Sequence, residues 1–235
     1  MDANSELSAK RNVTLVQARA DGAARLDPKQ GPEERIVQAC WSCQGPVAVG
    51  EPFCASCQAV QPPGQADHFQ RLGLPRQFEI DTAALEKSYF RMQRLLHPDR
   101  FATRTPKEKT LSQQQATSLN DAYETLKDPL ARAAYLAGLM GRDVLMEEGN
   151  APVDPMILME AMEMREALAE AESAEDVAAV TKRAQGEIAN CESELADAFA
   201  ADDLDQAAAL ITRLKYLRKL ADETRFRRAE LRGRG

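Results

Sequence analysis

Residues 85–101, LEKSYFRMQRLLHPDRF, decide the fold. Leu85, Tyr89, Met92 and Leu96 recur at steps of four, three and four, which is one face of an α-helix. Lys87, Arg91 and Arg94 repeat at the same period and form a separate basic stripe. The helix must end at His97-Pro98, because the residue before a proline is pushed out of the α region. Its start is equally marked, with Asp81 as N-cap and Ile80 and Leu85 placed as a hydrophobic staple. Upstream, a short helix over Phe69–Leu72 stops at Gly73 and Pro75. Downstream, a loop over Asp99–Thr105 leads to a helix from about Pro106 to Lys127, with Leu111, Leu119, Ala122, Tyr123 and Leu126 facing inward. Asp128-Pro129 then supplies an N-cap with proline at the first helical position. It opens a short fourth helix carrying Tyr135, Leu136 and Leu139.

A linker from Gly141 to Pro155 precedes three longer helical patterns, at about 155–172, 174–200 and 203–231. Ser173 with Asp176 forms a capping box between the first two, and Asp202-Asp203 caps the third. Val177, Val180, Ala184, Ile188, Cys191 and Leu195 make one apolar seam; Ala207, Leu210, Leu214, Leu217 and Ala221 make another. Short connections between long amphipathic helices predict an antiparallel bundle. The expected architecture is all-α: a four-helix unit over 67–140, then a three-helix bundle over 153–231. Residues 1–38 are polar, broken by Pro28, Gly31 and Pro32, and are read as a mobile tail.

Between tail and helices lie Cys40-Trp-Ser-Cys43 and Cys54-Ala-Ser-Cys57. Two thiolates three residues apart on a tight turn reach one ion, and two such turns complete a tetrahedron. Residues 39–62 are therefore read as a knuckle holding one structural zinc on Cys40, Cys43, Cys54 and Cys57, with iron as the alternative ion. Gly45 and Gly50 are expected to let each turn fold back. A redox dithiol would need only one pair and a thioredoxin-like surround that is missing here. Cys191 lies on an apolar seam and is read as a small buried hydrophobe. His68 is given no role.

The composition is 44% hydrophobic and 29% charged, that of a globular chain with a helical core, and no run approaches the length that crosses a bilayer. The first residues lack signal and transit patterns, which predicts a cytoplasmic address, or the mitochondrial matrix in a eukaryote. Charge is segregated. Residues 67–143 hold 12 basic and 10 acidic side chains, residues 144–210 hold 3 and 17, and residues 211–235 hold 9 and 3. Such segregation suggests different partners for different segments and no continuous nucleic-acid surface. No membrane partner is expected. Four clustered cysteines fit a metal site in a reducing compartment better than a disulfide framework.

The stretches HFQRLGLP, RLLHPDRF and LNDAYETLKDPLARAAYL, in that order over 67–140, resemble the J-domain family. The resemblance implies that His97, Pro98 and Asp99 form the loop that stimulates ATP hydrolysis by a seventy-kilodalton heat-shock chaperone. Lys87, Arg91 and Arg94 would be its electrostatic contacts. A basic helix face steering toward an acidic partner is physically reasonable. The loop holds no nucleophile–base pair, so the chain is not read as an enzyme.

Most J-proteins continue with a Gly/Phe-rich linker and β-rich client domains, whereas this chain continues with an acidic helical bundle. In this it is similar to the HscB type of co-chaperone, some members of which also carry a four-cysteine knuckle. ILMEAMEMREALAEAE over 157–172 carries much of that likeness. The resemblance implies an IscU-like iron–sulfur scaffold protein as client and an HscA/DnaK-type chaperone as recipient. The client face would use Leu158, Met159, Met162, Glu163, Glu166, Glu170 and Tyr216. The periodicity of this helix agrees that something beyond a single seam is present. Ile157, Ala161, Met164, Leu168 and Ala171 form the core stripe, yet Leu158, Met159 and Met162 are apolar and lie off it. That second stripe either packs on the four-helix unit or receives a client. Two other functions compete: a J-protein with a different helical client, and a zinc-ribbon nucleic-acid binder. The latter needs a basic surround for the cysteines, but residues 1–66 hold six basic and seven acidic residues.

Overall fold

The computed structural model describes residues 37–144 and 154–232. The expected mobile tail falls on residues outside these, apart from its last two. Val37 and Gln38 belong to strand β1 (Val37–Ala39), which pairs antiparallel with β2 (Pro46–Ala48), Val37 opposite Ala48. This hairpin, absent from the reading of the sequence, frames the first cysteine pair.

Among the described residues seven α-helices follow: α1 His68–Leu72, α2 Thr82–Leu96, α3 Pro106–Lys127, α4 Pro129–Leu139, α5 Pro155–Ala169, α6 Ala174–Ala200 and α7 Leu204–Arg232. Their starts follow from capping chemistry. Asp67 with Gln70, Thr105 with Glu108 and Ser173 with Asp176 form reciprocal capping boxes. Asp81, Asp128 and Asp154 each accept a first-turn N–H, and α3, α4 and α5 begin with proline. Asp203 accepts from Gln206 N–H at the head of α7. Each such cap is worth about 1 kcal/mol, so the boundaries are specified locally before any packing.

α1, α2 and α4 pack against α3, while α5, α6 and α7 form the second unit, with α6 antiparallel to its neighbours. One hydrophobic core runs through both units, from Phe69, Leu85, Leu96 and Leu119 to Met164, Leu195, Leu214 and Leu217. The two units meet through α4 and α7. Arg218 makes a two-armed pair with Asp128, at 2.7 and 2.5 Å, and Phe78 stacks on Phe199 with ring centroids 5.7 Å apart. Buried Arg132 lies over the Phe78 ring and donates to Leu126 O. Within the bundle, Arg213 gathers Glu160 from α5 and Glu187 and Glu194 from α6. Cys191 is fully buried and its thiol donates to Leu210 O; burial pushes it up to about 11. Among the described residues no helix is long and apolar enough to cross a membrane.

Candidate functional site

Three groups of side chains stand out, and the first is the cysteine knuckle. All four Sγ atoms lie within 4.8 Å of one another, with Cys40–Cys57 and Cys43–Cys54 both at 3.7 Å. Four thiolates at about 2.3 Å from one tetrahedral centre would be about 3.8 Å apart, so the residues fit such an ion. The local fold is two copies of one turn. Gln44 N–H donates to Cys40 O and Gln58 N–H to Cys54 O, and both glutamines adopt φ 60°. The left-handed residues are thus Gln44 and Gln58, not Gly45. Gly45 is small for another reason: a Cβ there would lie 3.2 Å from Ser56 Oγ and 3.3 Å from Cys43 Sγ, where the two turns meet. Gly50, at φ 93°, closes the chain after β2 instead of folding back a knuckle.

Electrostatics at the knuckle favour a cation. Burial opposes ionisation of Cys40, but N–H groups of Cys43 and Ser42 and the flanking thiols bring it down to about 6. Cys43 has a favourable N–H from Gly45, yet Cys57, burial and the other two sulfurs push it up to about 12. Sulfurs this close resist ionising together unless a positive ion compensates them.

The second group is the His-Pro-Asp loop. His97 ends α2 at φ −56°, ψ 127°, and Pro98–Phe101 form a single 3-10 turn. Asp99 N–H donates to His97 Nδ1 at 3.3 Å, and Arg100 N–H donates to His97 O at 3.0 Å. Phe101 is buried and pins the turn, while the His97 and Asp99 side chains are 52% and 90% exposed. Lys87, Arg91 and Arg94 are all exposed on the outer face of α2. Phe90 and Leu95 are exposed beside them, which the reading of the sequence did not single out. The inward face is as expected: Leu85 and Leu96 are buried, and Tyr89 stacks on Tyr123 at 4.1 Å.

The third group lies on α5. Ile157, Ala161, Met164 and Leu168 are buried, as the core stripe requires. Leu158, Met159 and Met162 are 39%, 54% and 68% exposed, so this second stripe does not pack on the four-helix unit. Glu163, Glu166 and Glu170 are exposed around it. Leu158, Met162 and Arg165 share one row of the helix, and Arg165 reaches across to Glu223 of α7. Tyr216, half-buried, lies two turns before Glu223 on the same row of α7. Arg165 thus ties the row of Leu158 and Met162 on α5 to the row of Tyr216 on α7.

His68 also has a place that the sequence did not reveal. It opens α1, its ring stacks on Tyr135 at 4.2 Å, and its N–H donates to Tyr135 Oη at 3.0 Å. Burial holds its imidazole below the usual histidine range.

Comparison with known proteins identifies both helical units. The DnaJ domain family model matches residues 67–135, and the model of the HSCB C-terminal oligomerisation domain matches residues 153–225. The iron–sulfur cluster co-chaperone protein HscB of Homo sapiens is 35% identical over 199 residues, covering 82% of this chain and 83% of the human one. The chain belongs to the HscB family. The co-chaperone protein HscB homolog of Vibrio vulnificus is 38% identical over 165 residues, 67% of this chain and 94% of its own length. The crystal structure of human HscB superposes with a TM-score of 0.74 at 34% identity, covering 80% of this chain and 96% of the human chain. The HscB chaperone of Vibrio cholerae superposes at 0.63 and 35%, covering 71% and 99%. HscB proteins are J-domain co-chaperones of iron–sulfur cluster assembly, not a class of enzyme, and this chain has their helical fold together with a four-cysteine cluster.

Proposed function

We propose that this protein binds an IscU-like iron–sulfur scaffold protein, delivers it to an HscA/DnaK-type chaperone and stimulates that chaperone's ATPase, in support of cluster transfer. The labour divides along the chain: residues 39–62 hold a structural metal, 67–140 act on the chaperone, and 153–231 hold the client. His97, Pro98 and Asp99 form the activating loop, and Lys87, Arg91 and Arg94 steer it onto an acidic chaperone surface. Leu158, Met159 and Met162, with Tyr216 beside them, form the apolar centre of the client face; Glu163, Glu166 and Glu170 form its acidic rim. The observation that carries this reading is the exposure of Leu158, Met159 and Met162 on a helix whose core stripe is already satisfied. Methionines suit it because their flexible thioethers adapt to a partner's contours. We assign one zinc per chain to the four thiolates, where it cross-links two turns too small to fold alone; iron is the alternative ion. The working compartment is a reducing one, the cytoplasm or the matrix of a mitochondrion.

The test is a calorimetric titration of purified scaffold protein into the parent chain and the triple variant Leu158→Ala, Met159→Ala, Met162→Ala, beside a thermal melt of each. A large loss of affinity with an unchanged melt supports the reading. Unchanged affinity sends the client elsewhere on the chain.

A further inference from the structure

The knuckle does not hang free of the helices. Gln61, 1% exposed, places its side-chain amide between two cysteine-turn atoms: Nε2 donates to Cys40 Sγ at 3.3 Å and to Ala59 O at 2.8 Å. The backbone carbonyl of the same residue accepts from Gln115 Nε2 on α3 at 2.9 Å. Gln115 is itself buried, and its Oε1 accepts from Arg71, whose other arm holds Pro63 O and Ala66 O. One residue thus touches a candidate metal ligand with its side chain and α3, the longest helix of the four-helix unit, with its main chain. A second tie runs in parallel. Trp41, inside the first cysteine pair, donates to Val60 O at 2.7 Å, and Lys107 of α3 lies over its ring at 4.3 Å.

The same buried face of α3, one turn earlier, supports the His-Pro-Asp turn. Ser112, one helical turn before Gln115, donates its hydroxyl to Leu96 O at 2.8 Å, at the residue preceding His97. Leu111 and Phe101 are buried in the same core. The first half of α3 is therefore held at two successive turns of one face, by the knuckle at Gln115 and by the entry to the His-Pro-Asp turn at Ser112. Buried polar chains of this kind are costly to leave half-satisfied, so the elements they join order together.

We infer that Gln61 is a positioning residue that links occupancy of the four-thiolate site to the order of α3 and of the His-Pro-Asp turn. The inference rests on the metal reading above. Its amide N–H withdraws charge from the Cys40 thiolate, and outer-shell donors of this type typically alter metal affinity by about 10–100-fold. Through its carbonyl and Gln115, the knuckle holds α3 in the position from which Ser112 reaches Leu96.

The test uses the full chain with cobalt(II) as a spectroscopic substitute. Gln61→Met keeps the length of the side chain and removes both donors. It is expected to move the sulfur-to-cobalt charge-transfer band to longer wavelength and to weaken cobalt binding at least tenfold. A second measurement needs no substitution. Hydrogen exchange of the unaltered chain, metal-loaded and after chelation, is expected to show faster exchange over 96–115 once metal is withdrawn, while α6 is unaffected. A band and affinity unchanged in Gln61→Met, or exchange over 96–115 indifferent to metal, overturns the inference. A parent chain that gives no thiolate–cobalt band at all overturns the metal reading as well, so the two failures are distinguishable.

Discussion

Helices α2 and α5 have the same length, 15 residues, and each buries one stripe, yet their outer faces differ in what dominates them. The outside of α2 carries Lys87, Arg91 and Arg94, all solvated, with only Phe90 and Leu95 as exposed large apolar side chains beside them. The outside of α5 carries Leu158, Met159 and Met162, rimmed by exposed Glu163, Glu166 and Glu170, while Glu160 and Arg165 pair with Arg213 and Glu223 of α7. The difference teaches how each face works. A basic face is stable in water and acts at a distance, through a field screened over about 8 Å at physiological salt. An apolar face forgoes roughly 25 cal/mol for every Å² left in water, so its exposure points to a partner that covers it. On the proposed function the first face would set encounter and the second residence.

The comparison breaks most visibly on α5. Truncating one central anchor of such a patch typically costs on the order of 2 kcal/mol, about thirtyfold in affinity. The triple alanine variant of Leu158, Met159 and Met162 is therefore expected to lose at least thirtyfold in scaffold affinity, with a melting temperature close to the parent's. A collapsed melt with unchanged affinity would instead make this stripe part of the core.

Arg213→Met sharpens the contrast by releasing α5 from its neighbours. The guanidinium is largely buried and joins three helices, and removing it leaves Glu160 and Glu187 without their shared partner. A loss of about 2 kcal/mol is expected in denaturant unfolding, below the roughly 3–5 kcal/mol for breaking a fully buried pair because the carboxylates keep some solvent. Scaffold affinity measured where the variant is folded should change little.

A smaller effect is expected at the junction of the two units. The Arg218 guanidinium beside Asp128, aided by the Ala131 N–H, holds that carboxyl below the usual range. Its contribution is complete above the unfolded carboxyl pKa of about 4 and is lost as pH falls through the depressed folded value. Partial exposure of both side chains limits it to about 1 kcal/mol. Asp128→Asn should therefore lower stability at neutral pH, and its disadvantage against the parent should shrink below about pH 4.

The smallest effects belong to α2. Replacing Lys87, Arg91 or Arg94 singly by Gln is expected to raise the half-saturating concentration for chaperone stimulation by only a few-fold, without a change in melting temperature. The difference should fade as salt is raised from 0.15 to 0.5 M.

What the sequence displays and what it hides divide along physical lines. Helix limits are legible because they are made by neighbours: Thr105-Pro106, Asp128-Pro129 and Ser173 with Asp176 each specify a start within four residues. The cysteine pairs are legible because their spacing states the ligand geometry. The exposure of Leu158, Met159 and Met162 was not, since an off-stripe apolar row looks the same whether it packs or waits. Nor could the sequence show the ties between distant positions. Gln61 with Gln115, Arg218 with Asp128 and His68 with Tyr135 are 54, 90 and 67 residues apart. The misplaced turn glycines have a different cause. Two glutamines accept the left-handed conformation here because a hydrogen bond from each amide to the first cysteine carbonyl compensates the strain.

The central claim is that activation and capture reside on separate faces, and one assay tests it directly. Steady-state ATP hydrolysis by the HscA/DnaK-type chaperone is measured, without scaffold, in the presence of the parent, His97→Gln and the α5 triple alanine variant. The account predicts that His97→Gln leaves the chaperone at its basal rate while the α5 variant stimulates as the parent does. Stimulation by His97→Gln equal to the parent's, or its loss in the α5 variant, would contradict it.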